Sequence, residues 1–381
     1  MGKKRKIAYI SGGRMDFGLM LSTLKKIERS CELSLQVYYT GVHLTPEFGN
    51  TYKEILNEFS DAKKIDCTYE TNDKNSSAIF IGKFILKLSN EFKKNQPDIT
   101  LTLGDRAEML GVAVTSVYNK IPTAHIHGGD KTGHIDEIIR HSITKLSNLH
   151  FAANDDSAER IRKMGEDDFR IFVTGAPGLD SIINEKVLEK NELIKFLRLK
   201  PQSKFMLVIQ HPVFNEDSKK HIINIIRAVK NFKLPVVIIY PNADAGGREI
   251  TKVINKENTN SLFRIYSNIE RKLFLSLEKH ASVWVTNSSA GIIESASFHT
   301  PVVNVGTRQK DRLRTGNIID VNYEIKNIIS AINKSLYDQN YLDTIKNITN
   351  PWGDGQTGTK ILNILENIPI NDILLNKQIA Y

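Results

Sequence analysis

The sequence predicts an α/β protein of two domains, each a parallel sheet covered by helices on both faces. Three observations predict it. Short apolar runs alternate with amphipathic stretches through both halves of the 381 residues, and strand–helix alternation is the pattern of parallel sheets. A charged, helical stretch without a strong core pattern, residues 179–201, separates the halves. The polar, glycine-bearing motifs follow directly on apolar runs, at the carboxyl ends of strands, where open α/β sheets bind their ligands.

In the first half, residues 7–10, 35–39, 99–103, 123–126 and 150–153 are apolar runs of strand length, and a further run, 171–174, precedes the turn GAPG. Helical periodicity covers about 15–29, 76–92, 107–118 and 136–146. In the second half residues 205–209, 236–240, 262–265, 282–285 and 302–305 repeat the strand pattern. Residues 357–381 read as an amphipathic helix that Pro369 interrupts or ends. The expected division is a first domain, 1–180, a second, 181–365, and a helical tail, 366–381, packing back on the first. Two such halves leave a cleft between them.

Hydrophobic residues make up 40% and charged residues 25% of the chain, ordinary values for a globular protein. No apolar run approaches the length that spans a bilayer. The start MGKKRKIAYIS has a basic head but too short an apolar stretch for a secretory signal, and Lys6 stands where a myristoylation signal wants Ser or Thr. Cys31 and Cys67 form no metal or redox motif, so a reducing, cytoplasmic location is the default. The net charge of +9 is spread along the chain with no recognisable nucleic-acid motif. Neither nucleic acid nor membrane is expected as a partner.

Residues 287–309, NSSAGIIESASFHTPVVNVGTRQ, are the most informative stretch. Ser288 and Ser289 open a helix after a buried run, and hydroxyls with N–H groups at a helix N-terminus suit a phosphate. Glu294, about two turns in, suits a ribose diol, and Arg308 suits a diphosphate oxygen. Ser-Ser before a helix is also an ordinary cap. After the first strand comes SGGRMDFG, where Gly12 and Gly13 allow a tight turn and close approach by a ligand, and Arg14 starts a helix. After the third main strand comes GDRAE, with Asp105, Arg106 and Glu108; Asp105 is either a cleft acid or a helix cap.

The densest cluster is HIHGGDKTGHIDEIIRH, residues 125–141. His125 and His127 alternate along a strand end and share a face. Asp136 with Arg140, and Glu137 with His141, are spaced i,i+4 on a helix. No HExxH or other ligand spacing is present, so no metal is expected. In the second half His211 emerges after a strand, and Asn242 and Asp244 lie in the loop PNADAGG.

Together GDR, HIHGGDKTG, IDEIIRHSITK, QHP, PNADAGG, NSSAGIIE and GTRQ resemble, in one order, the hydrolysing UDP-N-acetylglucosamine 2-epimerases of sialic and legionaminic acid synthesis. SGGRMDFG, GVHLTPEFGNTY and NPWGDG are similar to that family too, and the resemblance runs to about residue 360. It implies two Rossmann-like domains facing across a cleft, the GT-B type, with UDP held by the C-terminal one. Carried over, Ser288 and Ser289 meet the diphosphate and Glu294 the ribose. Arg14, Arg106, His211, Asn242, Asp244 and Arg308 surround nucleotide and phosphates. Asp105 and Asp136, with Glu137 beside them, match the catalytic carboxylates. His127 departs from members with HIEGG, whose glutamate stands at its place.

The resemblance implies a UDP-sugar substrate, no cofactor, and a homodimer or homotetramer. The expected reaction converts UDP-N-acetylglucosamine and water to N-acetylmannosamine and UDP through a glycal. His127 and His211 join the three carboxylates as catalytic candidates. The same reaction on a UDP-2,4-diacetamido-2,4,6-trideoxy sugar is the alternative. From other classes come a GT-B glycosyltransferase, which needs an acceptor, and a sensor that binds without turnover.

Overall fold

Ile7, Ala8, Tyr9 and Ile10 are all fully buried, as are Leu207, Val208 and Val285. Consecutive buried residues are what a parallel strand with helices on both faces requires. The structure, a computed structural model, describes residues 4–46, 49–70, 75–131, 135–213, 216–241 and 246–381, less the side chains of 135, 183 and 184. Among these residues thirteen strands form two sheets in which all pairings are parallel.

The first sheet holds β1 (Arg5–Ser11), β2 (Leu33–Tyr39), β3 (Lys63–Lys64), β4 (Ile99–Leu103), β5 (Thr123–Ile126), β6 (Leu149–Ala152) and β7 (Ile171–Val173). Its order is β3-β2-β1-β4-β5-β6-β7. The chain runs outward from β1 in one direction and from β4 in the other, so the topological switch lies between β1 and β4. The second sheet holds β8 (Met206–Ile209), β9 (Val236–Ile239), β10 (Phe263–Tyr266), β11 (Val283–Thr286), β12 (Val302–Val305) and β13 (Ile318–Val321). Its order, β10-β9-β8-β11-β12-β13, puts the switch between β8 and β11. Ligands of open parallel sheets bind outside the carboxyl ends of strands at such switches.

The chain divides into two units, one of residues 1–183 and 352–381 and one of residues 184–351. The expected boundaries were 180/181 and 365/366. In the first unit, helix Ser76–Lys94 buries Phe80, Phe84, Leu88 and Phe92, a single stripe at four-residue spacing. The stripe packs against Ile10 and Tyr38, and Phe80 stacks on Tyr69 at 4.2 Å. The second unit packs Ile222, Ile225 and Ile226 of helix Ser218–Lys230 on Val208, Val236 and Val285.

Two strands escaped the sequence reading. β3 is a pair of exposed lysines paired to Tyr38 and Tyr39, the short, charged edge that discourages further pairing. β13 is partly exposed along its length and carries Asp320, which Asn304 and Arg314 hold. The helix after β11 is also shorter than expected. It spans only Ser289–Ile293, and Glu294 closes it before the turn Ser295–Phe298. Among the described residues no helix is long and apolar enough to cross a membrane.

Candidate active site

The loop after β1 is built by Asp16, two residues into helix Arg14–Glu28. Its carboxylate accepts from Gly13 N (2.8 Å), Gly12 N (3.3 Å), the Ser11 hydroxyl (2.7 Å) and the Tyr9 hydroxyl (3.1 Å). Both glycine amides therefore point into the protein. A Cβ on Gly12 would stand 2.3 Å from Cδ of Glu108, so the close approach expected of a ligand is made by Glu108. This gives Gly12 a reason within the protein; a Cβ on Gly13 would meet nothing nearer than 3.5 Å. Arg14 pairs through Nε with Glu54 at 3.0 Å.

Glu108 is fully buried and accepts from Arg106 Nε (3.2 Å), Arg106 Nη2 (3.3 Å) and the Tyr69 hydroxyl (3.0 Å). Burial pushes its pKa up, but Arg106 and the hydrogen bonds outweigh it and hold the carboxyl below its ordinary range. Asp16, less directly compensated, is pushed up to about 6 by burial, with Arg106 opposing. His43 sits between Ser11 (2.8 Å) and Thr51 (2.7 Å), and burial first, then Arg106, lowers it to about 4.

Across the switch, β4 is followed by Gly104, at φ +70°, and then Asp105. Asp105 keeps 22% of its side chain exposed while Arg140, 4% exposed, donates to its Oδ2. Arg140 also donates to the Asp130 carbonyl at 3.0 Å. Arg140 stands on helix Ile135–Leu146, whose first turn carries Asp136 and Glu137. The structure thus ties Asp105 to the helix of the other two carboxylates. Glu137 meets His141 at 3.7 Å, as its spacing suggests. His127, at φ +62°, turns Nδ1 to Asp130 at 3.2 Å, and Ser157 holds the other Asp130 oxygen at 2.6 Å.

In the second unit Asn287 joins the two strands flanking the switch. Its side chain accepts from His211 N at 2.7 Å and donates to the His211 carbonyl at 2.9 Å. Its own carbonyl accepts from Arg308 Nη1 (3.2 Å) and Gln309 Nε2 (3.1 Å). Ser288 is 5% exposed and its Oγ accepts from Ala290 N at 3.4 Å, so the hydroxyl is turned into the helix as a cap. Ser289 follows as the first helical residue. Glu294, 3% exposed, accepts from Arg271 at 2.7 Å. Glu278 lies fully buried beside them; burial, then the charge of Glu294, keeps its carboxyl well above the ordinary range.

The sequence-predicted residues fall on the loops after β1, β4, β5, β8, β11 and β12, or on the helices that follow. Asn242 and Asp244 lie outside the described residues. Sequence reasoning counted Asp130 in the densest cluster without giving it a role and passed over Asn287 and Asp16, although each sits inside a quoted motif that follows a strand. Their signal was position; Asn287 and Asp130 also draw partners from distant elements, whereas those of Asp16 lie within seven residues of it. Among the described residues no group of three or more His, Cys, Asp or Glu is arranged to hold a metal ion.

A family model described as UDP-N-acetylglucosamine 2-epimerase matches residues 25–366. A Legionella pneumophila protein named UDP-N,N'-diacetylbacillosamine 2-epimerase (hydrolyzing) is 38% identical over 380 residues, 99% of this chain and 100% of that protein. A Campylobacter jejuni protein named GDP/UDP-N,N'-diacetylbacillosamine 2-epimerase (hydrolyzing) is 37% identical over 337 residues, 87% of each. The crystal structure of UDP-GlcNAc 2-epimerase from Neisseria meningitidis bound to UDP-GlcNAc shares the fold, with a TM-score of 0.80 at 20% identity over 94% of this chain and 99% of that one. The resemblance drawn from the motifs is borne out: this chain belongs to the UDP-N-acetylglucosamine 2-epimerase family.

Proposed function

We propose that the chain is a hydrolysing 2-epimerase of a UDP-2,4-diacetamido-2,4,6-trideoxy sugar, the class of UDP-N,N'-diacetylbacillosamine. It releases UDP and the free 2-epimer. The observation that carries the reading is Asp105, a partly exposed carboxylate at a switch point, braced by Arg140 from the helix that bears Asp136 and Glu137. The sequence reading put UDP-N-acetylglucosamine first. The relatives at 38% and 37% identity, both named for the diacetamido compound, support the reversed order.

The C2 hydrogen of a 2-acetamido sugar has no carbonyl beside it and is not acidic. When UDP leaves C1 with the C1–O electron pair, C1 gains cationic character and C2–H becomes acidic. A carboxylate of Asp105, Asp136 or Glu137 takes that proton. The C–H electron pair becomes the C1–C2 double bond of a glycal. A proton then reaches C2 from the opposite face, for which His127 is the candidate donor. Water adds its oxygen to C1 and gives up one proton, so UDP-sugar and water become UDP and epimer with no electrons exchanged. In this reading the second unit holds the nucleotide: Glu294 the ribose, Ser288, Ser289, His211 and Arg308 the diphosphate. Arg14 and Arg106 add positive charge as the leaving group departs. The roles assigned to Asn242 and Asp244 are nucleotide contacts.

The same reaction on UDP-N-acetylglucosamine is the second reading, favoured by the description of the family. Steady-state UDP release from the two nucleotides, each alone, separates them. Pocket contacts to one small substituent are worth about 1–3 kcal/mol, so kcat/KM for the diacetamido sugar is expected to be at least about tenfold higher. A higher value for UDP-N-acetylglucosamine would overturn the substrate assignment.

A further inference from the structure

We infer that His125 is a positioning residue for Asp105, acting through the Gly104 carbonyl and independently of nucleotide binding. This rests on the proposed role of Asp105. His125 is fully buried at the end of β5. Its Nε2 lies 2.8 Å from the Gly104 carbonyl and its Nδ1 3.2 Å from the Thr144 hydroxyl. A carbonyl only accepts, so Nε2 carries the proton. The ring is neutral: burial lowers its pKa to about 3. Nδ1 is then an acceptor, and the Thr144 hydroxyl, 3.1 Å from the Arg140 carbonyl as well, shares its proton with it. The tautomer is therefore set by two neighbours on different elements.

The Gly104 carbonyl belongs to the peptide that joins Gly104 to Asp105. A trans peptide is planar, so fixing the C=O direction also fixes the Asp105 N–H, which points the opposite way. Gly104 N is held in turn by the Ile126 carbonyl at 2.9 Å. With φ at +70°, Gly104 lies where few other residues go. Both ends of this glycine are clamped by β5, and the next residue presents its carboxylate to Arg140. Arg140 and Thr144 are one turn apart on the helix carrying Asp136 and Glu137. His125 thus links the loop of one candidate carboxylate to the helix of the other two. Space is reserved for the link, since a Cβ on Gly128 would stand 3.0 Å from both His125 Nδ1 and Thr144 Oγ1.

The test uses the full chain with UDP-2,4-diacetamido-2,4,6-trideoxy-glucose and compares His125→Gln with His125→Asn. Gln carries its amide nitrogen four bonds from Cα, as Nε2 is, and can still reach the Gly104 carbonyl. Asn carries it at the distance of Nδ1 and cannot. Misplacing a reacting group by about 1 Å costs about 100-fold in rate. We expect His125→Asn to lose about 100-fold in kcat per folded molecule, and His125→Gln to stay within about tenfold of wild type. UDP affinity should stay within about twofold in both. Equal kcat in the two variants, or UDP affinity falling together with kcat, would overturn the inference. Should His125→Asn not fold, Thr144→Val removes the partner of Nδ1 and is expected to lower kcat with UDP affinity kept; wild-type kcat there would overturn it. Asp105→Asn is the control. If that variant is inactive while His125→Asn is fully active, only the inference fails; if Asp105→Asn is active, the reading of Asp105 itself fails.

Discussion

Asp105 is held by Arg140 yet keeps 22% of its side chain exposed, and the proposed proton transfer rests on that carboxylate. Replacing it with Asn keeps size and shape but removes the charge. General acid–base groups contribute about 10²–10⁴-fold, so Asp105→Asn is expected to lower UDP release by at least about 100-fold. UDP binding, measured by calorimetry, should be unchanged; its loss in a folded variant would move Asp105 into nucleotide binding. Glu294→Gln is the complementary change. Hydrogen bonds to a charged group are worth about 1.5–3 kcal/mol, so UDP affinity should fall about tenfold or more, with kcat barely altered. Unchanged affinity would remove Glu294 from the ribose. Asp105 was legible in the sequence because a charged residue directly after a buried run is a local pattern. The cap made by Ser288 was legible as the alternative reading of the Ser-Ser pair, but the burial of Glu108 against Gly12 and Gly41 was not. The packing of Glu108 depends on partners far along the chain.

Helix Ile135–Leu146 is fastened at its middle and at its C-terminal end. From its middle Arg140 reaches the loop after β4, and at its end Lys377 donates to the carbonyls of Thr144 (3.3 Å) and Ser147 (2.7 Å). A cation at a helix C-terminus satisfies open carbonyls and complements the helix dipole. Lys377 also meets the fully buried Glu166, which Lys145 (2.6 Å) and His150 (2.9 Å) share. Burial would raise Glu166, but these partners outweigh it and lower it to about 2. Lys377→Met is expected to destabilise the protein by about 2 kcal/mol, read as a lower urea midpoint with unchanged slope; an unchanged midpoint would show that the contact contributes nothing. The return of the chain to the first unit has a second anchor, Asp180, which accepts from Thr357 N (2.9 Å) and Gly358 N (2.8 Å) and so caps helix Thr357–Asn367. Central strands and long amphipathic helices were legible from periodicity. The edge strands β3 and β13 were not, because an edge is kept short and polar. The cap by Asp180 was invisible because its two parts lie 177 residues apart.

The whole molecule should lose stability on mild acidification. Burial lowers six histidines, His43, His125, His141, His150, His221 and His280. Below the free value of about 6.5 the unfolded chain binds protons that the fold refuses, so stability falls as pH drops. Asp16, Asp180 and Glu278, raised by burial, act in the opposite sense, but histidines outnumber them two to one. The melting temperature is expected to fall steadily from pH 7 to pH 5; a constant or rising value would contradict the balance. The chemical claim is tested most directly by running the reaction on the diacetamido UDP-sugar in heavy water and reading the product by proton NMR. The epimeric free sugar is predicted to carry one deuterium at C2, because that hydrogen leaves and is replaced from solvent. A product with its original hydrogen still at C2 would contradict the glycal route and the role given to the carboxylates.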